Sequence, residues 1–123
     1  MIVGIGTDIV EVKRIAKSAE KYGDKFLNKI FTENELRSAT GKKNKFQHLA
    51  GKFAAKEAVV KSLAECCARG FNWHDMEILN NENGAPYVVL HGKFSEYVSD
   101  GKSLKISISH TDTHAVAFAV LEK

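Results

Sequence analysis

Between about Phe46 and Cys67 the chain reads as one long helix, and no other feature constrains the fold as much. Phe46, Leu49, Phe53, Val60, Leu63 and Ala64 recur at helical spacing and make a broad apolar stripe. The centre, Lys52-Phe53-Ala54-Ala55-Lys56-Glu57-Ala58-Val59-Val60-Lys61, is a strong helix sequence, and Gly70 marks the exit. It is the only helix long enough to span a domain of 123 residues. Such a stripe must be buried, so the helix is expected to lie across a sheet.

The rest of the chain supplies that sheet. Ile2–Asp8 reads as a strand rich in β-branched residues, with Gly4 and Gly6 leaving room for a backbone or a ligand. Val12–Tyr22 reads as a helix with Val12, Ile15, Ala16 and Ala19 on one face, ended by Gly23. Lys25–Ile30 is a helical turn. Thr32-Glu33-Asn34-Glu35 is a capping box that opens a short helix to about Thr40. Asp75–Leu79 and Pro86–Leu90 flank Asn80-Asn81-Glu82-Asn83-Gly84, a hairpin-turn composition, and Phe94–Val98 is expected to be helical. Leu104–His110 alternates cleanly, and Ala115–Leu121 is apolar on both faces, which implies a central or interface strand. The expected fold class is α+β, an antiparallel sheet packed against the long helix in one domain, residues 1–123.

Bulk properties exclude several classes. A hydrophobic fraction of 44% and a charged fraction of 27% are those of an ordinary globular protein. No apolar run approaches the roughly 20 residues of a membrane span, and the first residues lack a signal-peptide pattern, so no membrane partner and a cytoplasmic location are expected. A net charge of +3 is too small for a nucleic-acid coat, and no nucleic-acid partner is expected. Lys42, Lys43 and Lys45 cluster locally and suit phosphates, an acidic protein or a solvated loop. Cys66 and Cys67 are adjacent and read as a reduced pair near a helix end. Trp73 reads as packing or surface, and His48, His74 and His91 form no constellation in the sequence.

Three segments carry chemistry together. Glu57 and Lys61 are four apart and point the same way on the long helix. A carboxylate beside an ammonium suits a metal-bound polyphosphate, although the same spacing also gives the commonest helix-surface ion pair. Asp8 ends a strand, where it could ligate a hard cation, cap the next helix, or pair with Lys13 or Arg14. Glu11 is a second acid that could simply favour a helix start. Two carboxylates from separate elements, with phosphate oxygens and water, are enough for Mg²⁺. His110 lies beside Ser109 and Thr111 at a strand end, a set that could hold phosphate or a polar ring edge. A zinc pair of His110 and His114 is discounted for want of a third ligand.

Taken in order, these segments resemble the holo-acyl-carrier-protein synthases, the short class of 4′-phosphopantetheinyl transferases. The matching stretches are Gly4–Ile15, Phe31–Leu36, Leu49–Lys61, Asp75–Ile78, Asn83–Pro86 and Ser107–Thr111. The resemblance implies transfer of 4′-phosphopantetheine from coenzyme A to a serine of an apo acyl carrier protein, with release of adenosine 3′,5′-bisphosphate. It implies that Asp8 and Glu57 bind Mg²⁺, with Mn²⁺ as a substitute, and that Lys61 binds the pyrophosphate. His110, Thr111, Gly84, Pro86 and Lys52 match positions at the nucleotide. Arg14, with Lys13 beside it, matches the surface that meets the carrier. On chemical grounds the serine proton is expected to pass to Glu57 or to a metal-bound water that it orients. Short members form homotrimers with active sites between subunits, which is therefore the expected assembly.

Departures from the family pattern concern the rim of the nucleotide site. Lys52 stands where arginine is frequent, Ala85 replaces a frequent basic residue, and His114 stands where an aromatic or acidic residue is usual. No glycine-rich turn follows Lys61, so the helix is expected to run on to Cys67. Two other classes compete: a binding relative without turnover, which would not need both acids, and a Mg²⁺-dependent hydrolase of nucleotide pyrophosphates, which would need no carrier surface.

Overall fold

The computed structural model describes residues 1–123. The chain runs β1 (Ile2–Glu11), α1 (Val12–Tyr22), α2 (Asp24–Ile30), α3 (Glu33–Ala39), α4 (Lys45–Ser62) and α5 (Ala64–Cys67). It continues with β2 (Met76–Asn80), β3 (Pro86–Leu90), α6 (Gly92–Tyr97), β4 (Ser103–His110) and β5 (His114–Glu122). Three strands form an antiparallel sheet in the order β1-β5-β4, and β2-β3 form a separate hairpin. The last strand is thus central, as its two apolar faces imply.

α4 crosses all three strands of the sheet, while α1, α3 and β2 pack against it elsewhere. It is sheltered on nearly every side: Leu49, Ala50, Ala54, Ala55, Ala58 and Val59 are buried, and so are Lys52 and Lys56. Phe46, Phe53 and Val60, expected in the same broad apolar stripe as Leu49 and Leu63, are only half-buried. Small residues set the spacing. A Cβ on Gly6 would fall 1.9 Å from the Ala58 carbonyl oxygen, and one on Gly4 would fall 2.3 Å from that of Ser62. The two glycines therefore admit the backbone of α4.

The long helix is shorter than expected. It ends at Ser62, Leu63 leaves helical geometry (φ −117°, ψ 30°), and the single-turn α5 follows. The Ser62 hydroxyl donates to the Val59 carbonyl at 2.7 Å, and Leu63 N–H is shared between the Val59 and Val60 carbonyls. Buried Leu63 anchors the break, and Ala64 is exposed instead of facing the core. A smaller expectation also shifts: Asp75 belongs to a 3₁₀ turn and not to β2. Of the two roles open to Trp73 it takes packing, half-buried, stacked on Phe53 at 6.4 Å and edge-on to Phe71 at 4.9 Å.

A buried charge network clamps α4 to α3 and β2. Lys56 Nζ lies 2.6 Å from Glu35 Oε1 and donates to the carbonyls of Ile30 (2.7 Å) and Trp73 (3.1 Å). Those three acceptors match the three protons of an ammonium. Burial pulls the Lys56 pKa down, and the Glu35 carboxylate opposes that shift. Glu35 completes the capping box with Thr32 and also accepts from Ile78 N–H at 2.7 Å. No buried side-chain nitrogen or oxygen lacks a partner. No helix is long and apolar enough to cross a membrane.

Candidate active site

Strand alternation decides what β1 offers to α4. Gly4, Gly6 and Asp8 turn toward the helix, and Ile5, Thr7 and Ile9 turn outward. Asp8 therefore meets the C-terminal half of α4, where Glu57 and Lys61 share a face one turn apart. Lys61 Nζ lies 3.2 Å from Asp8 Oδ1 and donates to the Thr7 carbonyl at 2.9 Å. Glu57 and Lys61 form no ion pair, and Asp8 does not cap α1, whose N-cap is Glu11. Of the alternatives open to Asp8, pairing with Lys13 or Arg14 is replaced by pairing with Lys61 across the helix–sheet junction.

Glu57 stands in a field of mixed sign. Partial burial pushes its carboxyl above the ordinary carboxylate range and the negative Asp8 adds to that shift, while Lys61 and Arg14 offset it. A carboxylate pair of this kind is relieved by a cation. Asp8 and Glu57 are only two acids, and no cluster of three potential ligands exists anywhere in the chain. Mg²⁺ retains water and takes substrate phosphates, so two carboxylates fit it where they would not fit a closed zinc site. Arg14 and Lys13 are exposed on α1, with the Arg14 charge reaching Glu57.

A second site forms at the other end of α4. A cavity of about 190 Å³ is lined by Gln47, His48, Gly51 and Lys52 of α4, Ile78, Asn80, Gly84 and Pro86 of the hairpin, and Ile108 and His110 of β4. It brings together four of the residues expected at a nucleotide: Lys52, Gly84, Pro86 and His110. Lys52 is nearly buried, its Nζ donating to the Ile78 carbonyl at 2.5 Å. Thr111 lies outside the lining and organises the β4–β5 turn, accepting from the N–H groups of Thr113 (3.3 Å) and His114 (3.1 Å). An adjoining open depression contains Lys43, Lys45, Phe46 and Asp112.

Sequence reasoning missed His48, whose ring meets that of His110 with centroids 6.1 Å apart. Residues 48 and 110 are brought together by the packing of α4 on β4, so no local motif could signal the pair. It also missed Lys56 and Glu35 as a buried pair. The signal there was legible, since Lys52 and Lys56 sit one turn apart among alanines that leave no solvated face.

Relative to each other, the acid cluster and the cavity lie far apart in one copy. Lys52 and Lys61 are separated by roughly 14 Å along α4 and about half a turn around it.

Comparison with known proteins gives this arrangement a family. Residues 4–119 match the family model for the 4′-phosphopantetheinyl transferase superfamily. A holo-[acyl-carrier-protein] synthase of Protochlamydia amoebophila (strain UWE25) is 48% identical over 120 residues, covering 98% of each chain. The crystal structure of a holo-(acyl-carrier-protein) synthase from Bacillus anthracis str. Ames in complex with CoA (3′,5′-ADP) superposes with a TM-score of 0.78. It is 39% identical and covers 98% of this chain and 96% of its own. That of Helicobacter pylori holo-[acyl-carrier-protein] synthase in complex with coenzyme A gives a TM-score of 0.83 at 31% identity, covering 96% and 99%. The chain belongs to the 4′-phosphopantetheinyl transferase superfamily, among its holo-[acyl-carrier-protein] synthases.

Proposed function

We propose that this protein transfers the 4′-phosphopantetheine group of coenzyme A to a serine of an apo acyl carrier protein, leaving adenosine 3′,5′-bisphosphate. The observation that carries the reading is the meeting of Asp8, Glu57 and Lys61 where β1 crosses α4. In this reading Asp8 and Glu57 hold Mg²⁺ (or Mn²⁺), which when bound neutralises charge on the pyrophosphate. Lys61, now paired with Asp8, turns to the phosphate oxygens and stabilises charge on the departing bisphosphate. Glu57, with its carboxyl pushed up and half-exposed, is placed to take the serine proton directly or through a water. Lys52, His110, Gly84 and Pro86 hold the nucleotide, with Thr111 shaping the turn beside it. Arg14 and Lys13 meet the acidic carrier.

The reading includes a homotrimer with sites between subunits. Two features support it. The outer face of the sheet is apolar and exposed, with Ile5 59%, Ile9 65%, Val116 40% and Phe118 44% accessible. The acid cluster and the cavity are also separated along α4, so a nucleotide that uses both is better served by two copies than by one. The reading treats residues 1–123 as one transferase domain. It carries a cytoplasmic location, which suits the free thiols of Cys66 and Cys67.

Intact-mass analysis of an apo carrier incubated with coenzyme A and Mg²⁺ tests the reading. Gain of one phosphopantetheine, lost on chelation and in Asp8→Asn, is expected. An unmodified carrier with free adenosine bisphosphate would instead point to a hydrolase, and no turnover at all to a binding module.

A further inference from the structure

No backbone hydrogen bond joins the β2–β3 hairpin to the rest of the protein. Its strands pair only with each other, and the bond from His91 N–H to the Asp75 carbonyl closes the hairpin on itself at its base. Buried Met76 and Ile78 hold it to the core, but apolar contacts are non-directional. The directional contacts to α3 and α4 come from side chains. The Ile78 peptide is gripped at both ends, its N–H by Glu35 and its carbonyl by Lys52. One residue away, Glu77 points to the opposite face of β2 and is also buried. Its Oε2 accepts from the Thr32 hydroxyl at 2.6 Å and from Asn34 Nδ2 at 3.2 Å, both at the start of α3. Its Oε1 accepts from His91 Nε2 at 3.2 Å, which orients the carboxylate from the base of the hairpin. The Thr32 hydroxyl, above all, holds the Glu77 carboxyl below the ordinary carboxylate range; burial opposes this, and His91 and Asn34 reinforce it. The mechanism proposed above makes no use of this buried acid.

We propose that Glu77 is a positioning residue for the transfer reaction: by latching β2 to the start of α3 through Thr32 and Asn34, it fixes the hairpin, and with it Gly84 and Pro86, relative to α4. The proposal rests on the transferase reading and adds to it a residue that touches no substrate. A grip at the Ile78 peptide alone leaves the hairpin free to pivot about that point. A second grip, one residue along the strand and on its other face, removes that freedom. Displacing the hairpin weakens its hold on coenzyme A without moving Asp8 and Lys61, which meet where β1 crosses α4. The latch therefore acts on the KM for coenzyme A and not on the chemical step.

Steady-state transfer by the full-length protein, read from the intact mass of the carrier, tests this with Glu77→Met and Glu77→Gln. Methionine is of similar length and a poor acceptor, so it opens the latch. Glutamine keeps an oxygen for Thr32 and Asn34, and its amide donates to a neutral His91 ring, so it preserves the latch. Glu77→Met is expected to raise the KM for coenzyme A about tenfold, with kcat held within about twofold and the carrier KM unchanged. Glu77→Gln should bring the KM for coenzyme A back close to that of the wild type. A fall in kcat with both KM values unchanged would overturn the proposal, since loss of folded protein alone gives that pattern. Equal rises in the two KM values would overturn it by showing a general loosening, and Glu77→Gln as impaired as Glu77→Met would overturn a hydrogen-bonded latch. Should Glu77→Met fail to fold, Asn34→Ala decides, because it removes an exposed donor and leaves the Thr32 bond in place. A rise of about threefold in the KM for coenzyme A is then expected, and an unchanged value would overturn the proposal. Each of these failures leaves the transferase reading standing; a wild type that modifies no carrier would overturn both.

Discussion

Gly6→Ala tests the helix–sheet junction and the chemistry built on it with one methyl group. The added Cβ would lie 1.9 Å from the Ala58 carbonyl oxygen and 2.8 Å from Ser62 N, both backbone atoms that cannot rotate away. Ordinary contact begins at 3.4 Å, so β1 and α4 must separate by about 1.5 Å at this point. Removing glycine from a strand gains roughly 0.4–1 kcal/mol through the unfolded chain. Forcing an extra carbon into a packed junction costs about 1–3 kcal/mol and more when only backbone can yield. The clash wins, and the variant should lose at least 2 kcal/mol or so in urea unfolding. Asp8 is two residues along the same face of β1, and Glu57 adjoins Ala58. The variant that does fold should therefore transfer phosphopantetheine on the order of a hundredfold more slowly, the usual cost of an ångström-scale misplacement. An unshifted urea midpoint with normal turnover would refute the close approach of the two backbones.

Glu57→Gln should abolish Mg²⁺-dependent transfer and flatten part of the pH dependence of stability. Because the folded protein holds this proton more tightly than the unfolded chain, the wild type loses stability as pH rises from the ordinary 4.5 through the raised folded value. The variant should lack that decline in urea midpoints, and an identical decline would count against a Glu57 carboxyl raised first by burial and then by Asp8. Glu35→Gln leaves the fully buried Lys56 ammonium without its carboxylate and should cost about 3–5 kcal/mol by thermal or urea unfolding. The double variant Glu35→Gln/Lys56→Met should recover much of that loss, and strict additivity would contradict a paired network. Raising salt should raise the KM for the carrier more than that for coenzyme A, since Arg14 and Lys13 are exposed and screened. Equal salt responses would argue against an electrostatic carrier surface.

Periodicity located the elements of this fold because most of their faces are exposed to one environment each. β3 and α1 match their expected boundaries, and the Thr32 capping box forms as read. α4 was harder to read because it is enclosed on nearly every side, so its buried set follows residue size more than a single stripe. Its end at Ser62 depends on a hydroxyl-to-carbonyl bond and on the anchoring of Leu63, neither of which leaves a glycine or proline in the sequence. The site divides in the same way. Glu57 and Lys61 were legible because one helix turn relates them. That Lys61 turns to Asp8, and that Lys52 is spent on a carbonyl, depends on distances between elements. His48 acquires its partner only through the packing of α4 against β4.

Subunit complementation tests the central claim most directly. Asp8→Asn removes a ligand from the acid cluster, and His110→Ala removes an imidazole from the cavity. Each variant alone should leave an apo carrier almost unmodified in the intact-mass assay. Co-expressed in equal amounts, they should restore about a quarter of wild-type transfer, the share of sites that random assortment completes from two intact halves. A mixture no more active than either variant alone would contradict a site assembled between copies of this chain.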